Sequence, residues 1–248
     1  MKDCATYRDV ERELRALGNS TQAASSMRFF KTKKGEYAAG DIFLGLTVPQ
    51  TRAVVKKYQE ALTLPDIEKL LQSKFHEFRL AALFLLVVQY ERAKDGRTRK
   101  AIFICYTKNT KYINNWDLVD TSARQIVGAY ISEEMEHAER LAFINGYCRS
   151  RDLWKNRIIV LATLYQIQKG NEKMLFYVAR ELLHHSHDLI HKAIGWMLRE
   201  VGKRDRKVLS GFLREYAGTM PRTMLRYALE HYPPKDREYF MKMKVASM

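Results

Sequence analysis

Apolar residues recur at intervals of three and four along almost the whole chain, which is the spacing of one face of an α-helix. No run alternates apolar and polar residues between turn signals, as a half-buried strand would. The 248 residues contain 12 glycines and 5 prolines, a low number that suits helices joined by short loops. The pattern therefore predicts an all-α fold.

The segments between the periodic runs predict one domain over residues 1–248 with four parts. The parts are N-terminal helices at 1–31, a glycine-containing loop at 32–47, helical repeats at 48–232 and a C-terminal tail at 233–248. Gly18 and Asn19 indicate a break within the N-terminal part, and Ser20 or Thr21 is expected to cap the helix that follows.

Several helical segments share a form in which a few variable positions and a base precede an apolar run. The segments are FHEFRLAALFLL, LWKNRIIVLATL, LIHKAIGWMLRE and MPRTMLRYALEH, and their bases are Arg79, Arg157, Lys192 and Arg222. Asp120 of WDLVDTSARQIVG falls near the equivalent place. These positions recur every 30 to 40 residues, roughly the period of paired helices in HEAT-like arrays. We therefore predict a right-handed α-solenoid of degenerate HEAT-like repeats.

The charge of the chain favours a polyanionic partner. Lys and Arg number 43 against 28 acidic residues, a formal net charge of +15, which favours nucleic acid ahead of a membrane surface. The alternative is a protein that is merely basic. Because equivalent positions of stacked repeats line one concave surface, the four bases are predicted to form a basic groove for a nucleic-acid backbone. An acid at Asp120 works against phosphate affinity and indicates another purpose.

Trp116 and Asp120 lie four residues apart, so on a helix an indole and a carboxylate share one face. Trp196 lies four residues after Lys192 in a similar arrangement. The alternative is that Trp116 is a packing residue and that Asp120 caps a helix or pairs with Arg124.

Other classes of protein are disfavoured by the sequence. No stretch reaches the roughly 18 apolar residues of a membrane span, and the N-terminus has no apolar signal core, so we expect a cytoplasmic protein. We also expect a monomer.

Cys4, Cys105 and Cys148 are widely spaced without a CxxC motif, and reduced thiols are expected. The histidines of ELLHHSHDLIHK have one nearby acid and no cysteine, so we predict a polar loop rather than a metal site, and no cofactor.

Taken together, these segments resemble the AlkD-type DNA alkylation repair proteins, which are DNA glycosylases built of HEAT-like repeats. The segments are GDIFLGLTVPQTR, HEFRLAALFLL, INNWDLVDTSA, LWKNRIIVLAT, DLIHKAIGWMLREVGKRD and MPRTMLRYALEH, and they cover most of residues 25–232. The most specific feature is the pair WDLVD and AIGWMLRE in this order.

The resemblance implies an active surface made of Trp116, Asp120 and Trp196. It also implies that Arg157 contacts the DNA backbone and that Phe29 of SMRFFK stands where the family has a tyrosine, without the hydroxyl that would bind a phosphate. The DNA-binding residues predicted from the resemblance and the basic groove together are Arg157, Lys192, Arg79, Arg222 and Phe29.

The implied reaction is hydrolysis of the N-glycosidic bond of cationic N3- or N7-alkylated purines in double-stranded DNA. Lys192 is expected to stay protonated beside phosphates, so we predict a monofunctional enzyme that uses water as the nucleophile. The alternative is a non-catalytic HEAT-like module that binds nucleic acid, and a third class is a protein-interaction scaffold, which the positive charge disfavours.

Overall fold

The computed structural model describes residues 5–244. Within this range helices dominate, and the one strand-type pairing is an isolated parallel bridge between Ile42 and Phe75. The all-α, helical-repeat class predicted from the sequence is confirmed. No helix of the described range is both long enough and apolar enough to cross a membrane.

The helices follow one another with short connections. In chain order they are α1 (Tyr7–Ala16), α2 (Ser20–Phe29), α3 (Val48–Tyr58), α4 (Leu64–Leu71), α5 (His76–Arg92), α6 (Gly96–Lys108), a 3₁₀ turn (Thr110–Tyr112), α7 (Trp116–Asp120), a π-helical segment (Arg124–Gly128), α8 (Ala129–Glu133), α9 (His137–Cys148), α10 (Leu153–Ala162), α11 (Leu164–Gln168), α12 (Lys173–Glu181), α13 (Asp188–Arg204), α14 (Arg206–Tyr216), α15 (Arg222–Ala228) and α16 (Pro234–Lys242).

The chain divides into two compact units, Met1–Ile126 and Val127–Met248. In the first unit the 17-residue helix α5 packs against α1, α3, α4, α6 and α7. In the second unit α13, also of 17 residues, packs against α10, α11, α12, α14 and α15. Because the run AALFLLVV makes α5 apolar on all sides, this helix is buried almost throughout. That the whole chain forms one continuous array stays a prediction.

The N-terminal helices begin and end where the sequence indicates, but the cap differs from the prediction. Asn19, rather than Ser20 or Thr21, caps α2, because its side-chain oxygen accepts the backbone N–H of Gln22 at 2.9 Å. Gly45 packs directly against this cap with a φ of +83°, and a Cβ at that position would lie 2.1 Å from the Asn19 carbonyl oxygen.

The loop between α2 and α3 is irregular, as predicted for residues 32–47, and it is fastened to α5 by a buried carboxylate. Glu77 accepts hydrogen bonds from the backbone N–H groups of Leu44, Gly45 and Leu46 at 2.8 to 3.2 Å. These amides satisfy a carboxylate that would be costly to bury alone. The loop is therefore held in place although it contains no helix.

Within the C-terminal tail predicted at 233–248, residues 234–242 form the helix α16. Proline is favoured in the first turn of a helix because its missing N–H has no partner there. Pro234 begins α16, Asp236 lies in its first turn, and Phe240 is buried with its ring edge-on to Tyr232 at 5.7 Å. Residues 245–248 lie outside the described range.

The thiols of Cys105 and Cys148 are free and buried. Burial raises the pKa of Cys105 to about 11 and that of Cys148 to about 12. Cys4 lies outside the described residues.

Candidate functional site

Trp116 and Asp120 are the first and last residues of the five-residue helix α7. A separation of four residues leaves their side chains within about 40° of each other around the helix axis. Both side chains are half-buried, while Leu118 and Val119 between them are fully buried. Asn115 caps the helix by accepting the backbone N–H of Trp116 at 2.8 Å. The helix thus presents an indole and a carboxylate on the same side.

The indole of Trp116 is the outer end of a column of rings. It stacks on Phe30 at 5.3 Å between centroids, Phe30 stacks on Phe43 at 5.1 Å, and Phe43 stacks on the imidazole of His76 at 4.4 Å. The column runs inward, because Phe43 and His76 are buried. One face of the Trp116 ring therefore packs against the protein. To this extent Trp116 is a packing residue, as the alternative interpretation of the sequence proposed.

Phe29 lies beside Trp116, edge-on at 5.9 Å, and 65% of its surface is exposed. It ends α2, and the neighbouring Arg28 and Lys31 are exposed as well. The first unit thus brings together two of the aromatic residues that the sequence singled out, next to exposed bases. The sequence could not show that Phe29 and Trp116 are in contact, since they are distant along the chain.

A buried polar network lies behind α7. The His76 Nε2 lies 2.7 Å from Asp117 Oδ2, and its Nδ1 lies 3.5 Å from Asp41 Oδ2. Arg79 Nη2 donates to the same Asp41 oxygen at 2.6 Å, and Asn114 Nδ2 donates to Asp41 Oδ1 at 3.1 Å. Two carboxylates, an imidazole and a guanidinium thus join α5 to α7 and to the loop before α3.

The charges in this network shift each other's protonation. Burial lowers the pKa of His76, but the Asp117 and Asp41 carboxylates outweigh it and raise the pKa above its ordinary value. Burial raises the pKa of Asp41, but hydrogen bonding to His76 and the charge of Arg79 lower it overall. Both shifts favour the ionised forms, so the network is a set of mutually compensating charges.

Two of the predicted groove bases are instead buried. Arg79 is 3% exposed and its guanidinium is bound by Asp41 and by the backbone carbonyl of Ser73, at 3.1 Å from Nη1. Arg157 is 5% exposed and donates from Nη1 to the carbonyl oxygen of Leu189 at 2.6 Å. The expectation that both belong to an exposed basic stripe is corrected, because each side chain satisfies acceptors inside its own unit.

In the second unit, Trp196 lies half-buried on α13, and its indole N–H donates to Glu200 Oε1 at 3.1 Å. Lys192, one turn earlier, pairs with Asp188 at 2.7 Å, and both side chains are partly exposed. Arg222, the first residue of α15, is exposed. The predicted Lys192, Trp196 and Arg222 are therefore accessible.

Gly195 explains how α13 and α15 approach so closely beneath Trp196. A Cβ at this position would lie 2.5 Å from both the Met224 carbonyl oxygen and the Tyr227 Cβ. Only glycine fits such a contact, because the backbone cannot give way as the end of a flexible side chain would. The contact fixes the position of the residue next to Trp196 along α13.

The histidine-rich segment caps a helix. The ring of His187 accepts the backbone N–H of Leu189 at 3.1 Å at the start of α13, and the ring of His185 accepts the N–H of His187 at 3.0 Å. These bonds fit the predicted polar loop. Among residues 5–244 no group of three or more His, Cys, Asp or Glu side chains is arranged to hold a metal ion.

Sequence reasoning missed Asp41, His76 and Asp117. A local signal was present, since each is a polar residue that borders a strongly apolar run: GDIFLG, HEFRLAAL and WDLV. The pairing itself has no local signal, because His76 and Asp117 are 41 residues apart.

Comparison with known proteins gives matches for both the sequence and the fold. A sequence model described as "DNA alkylation repair enzyme" matches residues 10–232. A solved structure titled "Predicted DNA alkylation repair enzyme from Enterococcus faecalis" is similar with a TM-score of 0.68 at 19% identity, covering 88% of this chain and 97% of that one. At this identity the structural likeness concerns the fold alone. No curated protein matches the sequence.

Proposed function

Since the chain belongs to the family of DNA alkylation repair enzymes, we propose that it is a monofunctional DNA glycosylase that releases N3- and N7-alkylated purines from duplex DNA. The observation that supports this activity most directly is the pairing of Trp116 with Asp120 on one side of α7. It places one carboxylate beside one aromatic ring, with the exposed Phe29 next to them.

A single carboxylate suits this substrate class. A purine alkylated at N3 or N7 carries a positive charge and leaves as a neutral base, so no general acid has to protonate it. An ordinary glycoside is uncharged, so its leaving group would depart as an anion unless a general acid protonates it, and the enzymes that hydrolyse it use a pair of carboxylates. Asp120 alone is sufficient for the departure of a cationic base.

The role proposed for Asp120 is electrostatic. As the base leaves, positive charge develops on the deoxyribose, and a carboxylate about 4 Å away at an effective dielectric near 20 contributes on the order of 4 kcal/mol. Such a contribution is about a thousandfold in rate. Asp120 is also suited to orient the attacking water, because it accepts hydrogen bonds and lies at the end of its helix.

Each tryptophan is proposed to offer its ring to the DNA substrate from its own unit, and Trp116, beside Asp120, is proposed to face the cationic sugar. The ring of Trp116 is fixed by its stack on Phe30, and that of Trp196 by its hydrogen bond to Glu200. A desolvated cation over an indole gains roughly 1 to 2 kcal/mol. Rings that are already immobilised gain this without losing side-chain entropy on binding.

The proposed DNA contacts are the accessible residues Lys192, Arg222 and Phe29. Arg157 and Arg79 are left out of direct phosphate binding, because their guanidinium groups are buried and donate to acceptors inside the protein. Phe29 offers a ring and no hydroxyl, so its contribution is stacking or apolar contact. The positive charge of the chain supplies the remaining, sequence-independent attraction to phosphates.

Water rather than a lysine is proposed as the nucleophile. A lysine that forms a Schiff base needs a lowered pKa. The hydrogen bond from Lys192 to Asp188 raises the pKa of this lysine, which keeps the amine protonated. Nearby phosphates act in the same direction.

The test is release of free base from methylated duplex DNA. The protein is incubated with DNA containing 7-methylguanine and 3-methyladenine, and the soluble fraction is separated by chromatography. We expect both free bases and an intact abasic strand, with release about a hundredfold slower or more in Asp120→Asn. Tight duplex binding without any released base would refute the glycosylase and leave a nucleic-acid-binding module.

A further inference from the structure

The buried polar network behind α7 is centred on the imidazole of His76. Both ring nitrogens of His76 face carboxylate oxygens, at 2.7 Å for Asp117 and 3.5 Å for Asp41. An ionised carboxylate accepts hydrogen bonds and donates none, so each contact needs a proton on the facing nitrogen. A ring that satisfies both carboxylates is therefore an imidazolium.

Counting the charges of the network also indicates that His76 is protonated. Besides His76, the charged groups of the hydrogen-bonded network are Asp41 from the loop before α3, Asp117 from α7 and Arg79 from α5 itself. The buried Glu77 on α5 also acts on Arg79, but its carboxylate is hydrogen-bonded to backbone amides of the loop and lies outside this network. With His76 neutral, the buried network carries one uncompensated negative charge. With His76 protonated, two carboxylates face two cations, and the cost of burying each charge is offset by its partners.

The network ends at the residues that present the candidate site. Asp117 lies between Trp116 and Asp120 on α7; its Oδ2 faces His76 and its Oδ1 accepts the backbone N–H of Leu118 at 2.8 Å. The His76 ring also ends the aromatic column that reaches Trp116. The position of the His76 imidazole thus affects both α7, through Asp117, and the Phe30 ring that stacks on Trp116.

We propose that His76 is a positioning residue that holds α7, and with it Trp116 and Asp120, only while its ring is charged. The effect on base release rests on the proposed glycosylase function, whereas the effect on Trp116 does not. The consequence is that the contacts holding α7 in place weaken as the pH rises. Because the pKa of His76 in the folded protein lies above its ordinary value, the stabilising contacts are complete at low pH and are lost as the pH rises through that folded pKa.

The first experiment follows Trp116 alone. In a protein carrying Trp154→Phe and Trp196→Phe, the fluorescence of the remaining tryptophan is recorded as the pH is raised from mildly acidic to alkaline. We expect one transition above the ordinary titration of histidine. The transition should be absent when His76→Gln is added and should move to lower pH when Asp117→Asn is added. A transition that persists in His76→Gln, or no transition at all, would overturn the proposal.

The second experiment measures single-turnover base release from methylated duplex DNA across the same pH range, after subtraction of the enzyme-free rate. His76→Gln should reduce release at mildly acidic pH by at least about tenfold with duplex binding unchanged, because small displacements of reacting groups are costly. The exposed His231→Gln in the second unit is the matched control and should behave as wild type.

The two experiments separate the two ideas. If the wild-type protein releases no base, the proposed function fails, and the Trp116 titration still decides the role of His76. If base is released but the rate has no pH dependence that His76→Gln removes, the positioning role fails and the glycosylase stands. Should His76→Gln fail to fold by circular dichroism, Asp117→Asn serves alone, with the shift of the transition to lower pH as the deciding result.

Discussion

Replacing Arg79 by methionine tests whether this guanidinium stabilises the fold or contacts DNA. Arg79 donates to Asp41 at 2.6 Å and to the Ser73 carbonyl at 3.1 Å, and it is 3% exposed. Methionine keeps an unbranched stem of similar length but removes the charge. The Asp41 carboxylate then stays buried, with His76 and Asn114 as its remaining donors.

The magnitude follows from the burial of both partners. Removing one side of a buried ion pair typically costs about 3 to 5 kcal/mol, because the other charge remains uncompensated. We expect about 3 kcal/mol, at the low end, since two donors still bind Asp41. For a chain of this size that corresponds to a fall in Tm of roughly 6 to 12 °C. The double variant Asp41→Asn with Arg79→Met should lose less than the sum of the single variants.

The assay is urea unfolding followed by circular dichroism, together with duplex binding at several salt concentrations. Arg79→Met should unfold at lower urea and bind DNA with the wild-type salt dependence. The exposed Arg222→Met is the control: its stability should be unchanged, while its binding should weaken and its salt dependence fall by about one phosphate contact. An Arg79→Met protein of wild-type stability with a reduced salt dependence would refute our interpretation and restore Arg79 as a DNA contact.

Further predictions concern the site and the core. Asp120→Asn should lower base release by about a hundredfold or more with duplex binding equal or tighter, and unchanged release would remove Asp120 from the mechanism. Gly195→Ala should destabilise the protein in urea because its Cβ meets the α15 backbone, whereas Gly146→Ala, in open space on α9, should not; equal effects would contradict the close contact. Borohydride added during turnover should trap no covalent DNA adduct, and an adduct lost in Lys192→Ala would make that lysine the nucleophile. Cys148, with its pKa raised to about 12 by burial, should resist iodoacetamide near pH 8 in the folded protein; rapid labelling of its peptide would contradict this.

The fold class was predictable because its signals are local. The helical periodicity of α13 is visible within a few turns, as are the long apolar run of α5 and the proline in the first turn of α3. The missed helix α16 has local signals as well. Pro234 lies at the first position of this helix, where proline is favoured, and Phe240 then supplies the apolar contact.

The local sequence pattern could not predict whether each basic side chain points to solvent or into the protein. A base before an apolar helix has the same appearance whether it faces solvent or an acceptor inside the protein. The carboxylate that binds Arg79, on Asp41, lies 38 residues away along the chain, and the Leu189 carbonyl that binds Arg157 lies 32 residues away. Lys192 has its acid four residues earlier, on its own helix, and stays partly exposed. What separates these bases is thus a tertiary contact.

The candidate site itself depends on such contacts. A five-residue helix is too short to be stable alone in water. α7 persists because Asn115 caps it, Asp117 bonds to His76 on α5, and Ser122 just after it bonds to Tyr106 on α6 at 3.1 Å. The half-buried Trp116 and Asp120 of α7 therefore have positions set by polar groups on other helices.

Because contacts from other elements hold α7 in place, the segments that resemble the family also have a structural role through their buried residues. GDIFLGLTVPQTR contributes Asp41, HEFRLAALFLL contributes His76 and Arg79, and INNWDLVDTSA contributes Asp117. Each segment thus supplies part of the support for α7, although only the last carries Trp116 and Asp120. Substitutions at these buried positions are consequently expected to impair base release without touching DNA, because they displace the helix rather than remove a contact.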